Sequence, residues 1–459
     1  MEATENGRNR AINGMESFVY LRQFFSSRSR RLLERNGQTL KLLFFFSVIN
    51  FAENEEKKAS FFAALALVHA SCPIMMALPL HFLSQLKRKI FEDQQGVLSL
   101  RLPLIAAMLA FVIAISASTF LLLAFVFSRL NPGAFTNEFV FFGGCMMLLR
   151  VVEAVNKLLG GIVSYSVSVA LYVDKLFYMI AFCSCVFAFS FWARLGNFSF
   201  LFASLVLEAF VFFGQVLVIS MYSRMTFSLR TRPKEFVLVF AAETRLLLSD
   251  FSQKLYKFCY LDYLCLVLLF NDLKEDACLL SVWLRLLELM HHTGKVFASF
   301  LCEKVELDSF GLVKQLDQET KKGFKALAYI SLVFTVVFFL LSMGISSLFF
   351  SKRATIARLS FVIKASSFVA YSRLVRPVFR RLLPVMGKAD WIWLISVPLY
   401  GATIAISALL FRRAGFGAMA SIVVLADVVE TMFLFRAYYF SFILKNFLRM
   451  DEYAGFELV

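Results

Sequence analysis

A set of ionisable side chains falls inside runs of sequence that are otherwise apolar: Glu153, Lys157, Lys175, Arg285, Glu288, His292, Lys295, Lys364 and Asp427. A charge placed in hydrocarbon is costly, and it persists where it meets a partner or a hydrated cavity. Glu153 and Lys157 are four residues apart, which puts them on one helix face as a potential ion pair. Arg285, Glu288, His292 and Lys295 recur at intervals of three and four, a polar stripe along a single helix. Arg285, Lys295 and Lys364 are cations at membrane depth, and cations suit an anionic ligand such as a phosphate or pyrophosphate. Asp174, Asp262, Glu430 and Arg436 lie in similar surroundings. Two accounts stay open at this level. The groups either pair with one another and tie helices together, or they line a polar cavity.

Catalytic signatures are missing. The chain has no phosphate-binding Walker loop, no H-E-x-x-H and no G-x-S-x-G. Its four histidines include His291 and His292, which as neighbours point to different helix faces and cannot share one metal. No enzyme activity, cofactor or metal is expected.

The elements that must hold these residues follow from composition. Of 459 residues 59% are hydrophobic and 17% charged, 56 are Phe, and the mean hydropathy is +0.72. Soluble domains carry about 25% charged residues. The chain reads as an all-α polytopic membrane protein, because a helix needs about 20 apolar residues to cross the bilayer. Spans are expected near 38–52, 60–84, 102–128, 138–160, 164–193 and 198–222, with Gly160-Gly161 breaking the fourth from the fifth. A second set is expected near 252–270, 278–301, 325–350, 358–372, 391–411 and 414–440. About 12 transmembrane helices in two six-helix bundles result.

Basic clusters test that count, since cytosolic loops collect Lys and Arg. Arg28 to Arg35, Lys87-Arg88-Lys89, Arg224 to Lys234, Lys321 to Lys325 and Arg373 to Arg381 all fall on one side with 12 spans. Both termini are then cytosolic, and much of the +16 net charge reflects topology rather than nucleic-acid binding. The expected organisation is a basic cytosolic N-terminal segment (1–37), an N-terminal bundle (38–222), a cytosolic linker (223–251), a C-terminal bundle (252–440) and a cytosolic tail (441–459). No cleavable signal peptide is seen, because the first forty residues are polar and basic. Eight scattered cysteines, most of them in apolar runs, read as inert buried thiols. The sequon Asn197-Phe198-Ser199 would sit on the lumenal side, too near the membrane for modification.

The order of features resembles the Rft family of endoplasmic-reticulum proteins, within the multidrug/oligosaccharidyl-lipid/polysaccharide (MOP) exporter superfamily. The likeness runs from about residue 50 to 440. It rests on Phe141-Phe142-Gly143 followed by Val151-Val152-Glu153, on Lys175 entering the fifth span, and on the apolar run Phe324 to Phe350. Its clearest stretch is Gly415 to Phe440, closing on Tyr438-Tyr439. Two departures stand out: Leu80 to Lys89 lacks the family's Arg-Glu, and the eighth span lacks its Pro-Ile-Glu-Glu. The resemblance implies a MOP/MATE-like fold, a flippase role in moving dolichol pyrophosphate-linked oligosaccharide across the endoplasmic-reticulum membrane for N-glycosylation, and membrane lipid and lipid-linked oligosaccharide as partners. No nucleic acid and no soluble protein partner is expected. The competing readings are another MOP-type small-molecule exporter, a chemoreceptor-type ligand-gated channel subunit, and a membrane-embedded acyl- or glycosyltransferase. A channel subunit of that type has seven spans and a Thr-Tyr…Gln-Phe signature that this chain lacks.

Overall fold

In hydrocarbon every backbone N–H and C=O must be satisfied within the protein, so long apolar runs have little choice but to become helices. The computed structural model is accordingly almost entirely helical. It describes residues 2–52, 55–75, 77–79, 81–82, 99–130, 137–166, 175–192, 195, 198–222, 226–228, 233–270, 274–307, 313–386, 388 and 390–456. The helices are α1 (Glu2–Ala52), α2 (Glu55–Ser71), α3 (Pro73–Pro79), α4 (Leu102–Leu130), α5 (Asn137–Ser166), α6 (Lys175–Phe191) and α7 (Phe198–Tyr222). There follow α8 (Pro233–Leu269), α9 (Lys274–Leu307), α10 (Val313–Phe349), α11 (Arg353–Ser367), α12 (Ala370–Val385) and α13 (Asp390–Phe456). Two three-residue strands, β1 (Ser99–Arg101) and β2 (Thr226–Ser228), pair in parallel with Leu100 opposite Phe227.

Six helical stretches are long and apolar enough to span a membrane: Pro103–Leu130, Phe139–Gly160, Phe198–Met221, Glu319–Phe349, Asp390–Leu409 and Gly415–Ser441. They coincide with the expected third, fourth, sixth, ninth, eleventh and twelfth spans. The second is a bent pair, Phe62–Ser71 and Pro73–Pro79, meeting at 55°. Pro73 accounts for the bend, because proline has no N–H to continue the ladder. The first and fifth are the shorter apolar helices Thr39–Val48 and Tyr178–Phe191. Large apolar side chains on the outside, such as Phe210, Leu340 and Leu409, face the lipid. The protein is an all-α, multi-pass membrane protein.

Two expectations are corrected. Gly160-Gly161 does not break the chain, and α5 continues through it to Ser166. Gly160 serves close approach instead, since a Cβ there would come within 2.9 Å of Gln215 Nε2 on α7. The expected tenth span, 358–372, crosses a break at Phe368–Val369, where Val369 N–H turns back to the Ser366 carbonyl at 3.1 Å.

The chain divides into two compact units, residues 44–281 and residues 1–43 with 282–459. The divisions fall inside α1 and α9. The segment expected as a linker, 223–251, is helical from Pro233 onward and lies within the first of these units. In that unit α7 packs on α5 and α6, and α2 on α4, α5 and α8. In the other, α10 packs on α11 and α12, and α12 on α13. Trp283, fully buried, donates its indole N–H to Ser366 Oγ at 3.0 Å and ties α9 to α11.

The N-terminal half of α1 is packed from Tyr20 onward. Tyr20 and Phe24 enter an aromatic cluster with Phe297 and Phe300 of α9. Burial, with Glu319 nearby, pushes the Tyr20 phenol up. The Lys304 ammonium sits 4.4 Å from the Tyr20 ring centroid and donates to Gln23 at 2.9 Å. Arg28 and Arg31 both reach Glu303, Arg31 at 3.0 Å. Part of the basic run read as a topology signal is thus a docking surface for α9. Exposed pairs contribute about 1 kcal/mol or less, so Glu303→Ala is expected to leave global stability nearly unchanged. It should nevertheless accelerate trypsin cleavage at Arg28 and Arg31 of the purified protein. An unaltered digestion pattern would show that the pairs do not hold this segment.

Candidate functional site

Helix α12 is too polar to be an ordinary span, and its pattern explains where it goes. Arg373, Arg376 and Arg380 stand at i, i+3 and i+7, which places them along one face. Opposite them α13 presents Asp427 and Glu430, three residues apart, in the middle of the span Gly415–Ser441. The earlier half of α13 adds Ser396 and Tyr400. Gly415 makes this double contribution possible: at φ 45°, ψ −175° it breaks the helix in a conformation that residues with a Cβ resist.

Glu430 has no exposed side-chain surface, and its carboxylate accepts four donors. Arg376 Nη1 reaches Oε2 at 2.9 Å and the Tyr400 hydroxyl reaches it at 2.6 Å. Ser396 Oγ donates to Oε1 at 2.7 Å, and Arg380 Nη2 binds the same oxygen. Asp427 takes Arg376 on Oδ1 and Arg373 on Oδ2. Its backbone carbonyl accepts from Thr431 Oγ1 at 2.7 Å and Ser372 Oγ at 3.1 Å, and those hydroxyls lie 2.6 Å apart. Arg380 also donates to Tyr400 at 2.6 Å. The guanidinium groups of Arg373 and Arg376 are as deeply buried as the carboxylates.

Three guanidinium groups face two carboxylates here. The half-buried His291 of α9 lies in the combined field of Lys295, Arg376 and Arg380. Chemically, such a cluster can lock α12 onto α13. It can also exchange a carboxylate for another oxyanion, because guanidinium forks bind phosphate and carboxylate in the same bidentate geometry.

This corrects the reading of Arg373 to Arg381 as a cytosolic basic loop. Only the end of that run behaves so: Arg381 is exposed and reaches Ser299 Oγ at 2.9 Å. Of the residues expected at a site, Asp427 is central to the cluster. Arg285 and Glu288 pair along α9 at 2.7 Å, and Thr39 of α1 donates to Glu288 at 3.3 Å. His292 and Lys295 lie half-buried further along α9. Lys364, half-buried on α11, places its ammonium 5.8 Å from the Phe339 ring centroid and makes no ion pair among the described residues. In the other unit Glu153 pairs with Arg150 at 2.6 Å, and Lys157 is exposed. Arg150 in turn contacts His69 Nε2. The side chains of Lys175 and Asp262 lie outside the described residues, as do Asp174, Asn197 and Lys87-Arg88-Lys89.

Three polar contacts were not anticipated. Glu208 of α7 binds Asn156 of α5 and Tyr178 of α6, and His81 Nε2 meets Glu243 at 3.1 Å. Glu208 was open to detection as the one acidic residue in the run from Phe198 to Met221. Among the described residues no group of His, Cys, Asp and Glu is placed to hold a metal, and the seven cysteines whose side chains are described form no disulfide with one another.

No protein-family model matches this chain, and no curated protein sequence matches it. Solved structures do. The eukaryotic MATE transporter AtDTX14 superposes with a TM-score of 0.64 at 14% identity, over 91% of this chain and 95% of that one. Lipid II flippase MurJ, in an inward closed conformation, gives 0.58 at 13% identity, over 90% and 89%. A MOP superfamily transporter from Pyrococcus furiosus, described as having a binding pocket of reversed polarity, gives 0.52 at 12%, over 92% and 96%. The fold is the MOP transporter fold. At these identities the likeness is one of architecture, and it covers nearly all of each chain. Within the MOP fold of this protein, the arginine–carboxylate cluster belongs to the unit formed by residues 1–43 and 282–459.

Proposed function

We propose that this protein moves a lipid with an anionic head group between membrane leaflets, the head being a pyrophosphate-linked oligosaccharide carried on a polyprenyl tail. The site of action is the endoplasmic-reticulum membrane, with both termini cytosolic and the product feeding N-glycosylation. The observation that carries the proposal is the buried basic excess of Arg373, Arg376 and Arg380 over Asp427 and Glu430. An exporter of organic cations needs the opposite balance. A fold shared with a lipid II flippase adds support, since that lipid poses the same physical problem of a polar head crossing hydrocarbon.

In this reading Arg376 and Arg380 hold phosphate oxygens while Asp427 and Glu430 keep the guanidinium groups aligned. In the same unit Arg285, Lys295 and Lys364 add positive charge, and Glu288 and His292 fix neighbouring cations. The test is transbilayer movement of a fluorescent short-chain polyprenyl pyrophosphate disaccharide in vesicles reconstituted with the purified protein. Movement should exceed that of protein-free vesicles and fall about tenfold in Arg380→Gln, which loses one charge-assisted contact. A neutral glycolipid of equal chain length should not move. Equal rates with and without protein would refute the proposal. In cells, depletion should raise the amount of a dolichol-linked intermediate, and Arg285→Gln or Lys295→Gln should fail to restore it.

A further inference from the structure

Pro73 bends the second span by 55°, and Cys72 falls between its two halves. The Cys72 N–H still reaches the Val68 carbonyl at 3.0 Å, and the Cys72 carbonyl accepts from Met75 N–H at 3.1 Å. The thiol therefore keeps helical register with His69, three residues before it. The face they share lies against α5. There Cys72 Sγ meets Met147 Sδ at 3.1 Å, and Arg150, three residues further along α5, donates to His69 Nε2. Cys72 is 3% exposed and Met147 9%. A thiol hydrogen is a weak donor and a thioether a weak acceptor. Their hydrogen bond alone gives two facing helices little reason to bring these sulfurs together.

Thiolate, thioether and imidazole make up a donor set suited to soft metal ions. We infer that Cys72 and Met147, with His69 as third donor, form a binding site for a soft monovalent metal ion of the Cu(I) class. His69 already presents a lone pair: a guanidinium only donates, so Nε2 is the acceptor and the neutral ring carries its proton on Nδ1. When Nε2 turns to the metal, Arg150 keeps its bond to Glu153 at 2.6 Å through Nη1. Binding exchanges the S–H bond of Cys72 for a sulfur–metal bond, and the proton leaves to water. The charge of the site is unchanged by that exchange, which matters inside a span because each added charge is costly there. A divalent ion on the same three donors would leave one positive charge behind, and zinc would also call for a fourth ligand. Bound metal ties the bend at Pro73 to α5. The site belongs to the unit 44–281 and is independent of what the arginine cluster carries.

The test uses the full chain in nanodiscs, reduced and in chloride-free buffer, with Ag(I) nitrate as a redox-inert probe. Silver retained per chain, protons released and the thermal unfolding midpoint are followed together. Other thiols also take silver, so the count is read as a difference. Wild type should retain one ion and release one proton more than Cys72→Ala. Silver should raise the midpoint of wild type and of Cys145→Ser, and leave that of Cys72→Ala in place. Met147→Leu conserves side-chain volume and should fold, yet weaken the tight site by about tenfold to a hundredfold. Zn(II) acetate should not move the midpoint. Equal silver counts in wild type and Cys72→Ala would overturn the inference. Unchanged affinity in Met147→Leu would do so too, by reducing the site to a solitary thiol, as would an equal rise with Zn(II).

Discussion

Glu430→Ala is expected to be among the most damaging single substitutions in this protein. The carboxylate accepts Arg376, Arg380, Ser396 and Tyr400 at once, and no side-chain surface is exposed. Its loss removes a buried acceptor from two guanidinium groups and two hydroxyls at once, and leaves Asp427 as the carboxylate facing the three arginines. Breaking one side of a buried ion pair costs about 3–5 kcal/mol, because the partner charge stays desolvated. A whole domain is stable by only about 5–15 kcal/mol. The measurable result is a collapse in the yield of monodisperse protein on size-exclusion chromatography, with a steep fall in the unfolding midpoint of whatever survives. The companion variant Arg380→Ala/Glu430→Ala removes one charge of each sign and should recover part of the loss. If the double variant is no better than Glu430→Ala, the coupling is not electrostatic.

Gly294→Ala is the second substitution of large effect, and it acts through shape. A Cβ on Gly294 of α9 would lie 2.4 Å from the Leu374 carbonyl oxygen and 3.0 Å from its carbonyl carbon and Cα, all backbone of α12. Backbone cannot swing aside as a side chain does, so the two helices must separate. Overpacking of this kind costs about 1–3 kcal/mol, against a gain of about 1 kcal/mol from replacing glycine in a helix. Because Leu374 lies between Arg373 and Arg376, the displacement also reaches the ion cluster. The control is Gly344→Ala on α10, where nothing lies within 4 Å of an added Cβ. That change should be neutral or mildly stabilising by about 1 kcal/mol. Equal unfolding midpoints for the two variants would mean that α9 and α12 are less tightly apposed than their geometry indicates.

The contrast between those two glycines marks what the chain discloses before it folds. Gly294 and Gly344 look alike in sequence, because both sit in helical runs and the difference is made by a distant helix. The spans were legible, since hydrocarbon allows long apolar runs only one solution. The intramembrane position of Asp427 was legible for the same reason. Its partners were not. Arg373, Arg376 and Arg380 carry a helical i, i+3, i+7 signal that matches the spacing of Asp427 and Glu430, but a basic run beside a span also satisfies the topology rule. Charge counting cannot separate an arginine in a lipid head-group layer from one buried against a carboxylate. Lys364 stood out in its apolar run, and among the described residues its ammonium lies 5.8 Å from the Phe339 ring centroid, a neighbour the sequence does not disclose. For Glu153 the spacing pointed to Lys157 four residues on, and the structure adds Arg150, three residues before it, at 2.6 Å.

The matching of α12 to α13 has a consequence for how the protein is made. Synthesis delivers the three arginines before the carboxylates that neutralise them, because α12 precedes Asp427 by some forty residues and Gly415 lies between. Before they meet, α12 carries three arginines and the span Gly415–Ser441 two acids, each a cost in hydrocarbon that their pairing lowers. A chain that stops before residue 427 therefore holds the three arginines of α12 without either of the carboxylates they meet in the finished protein.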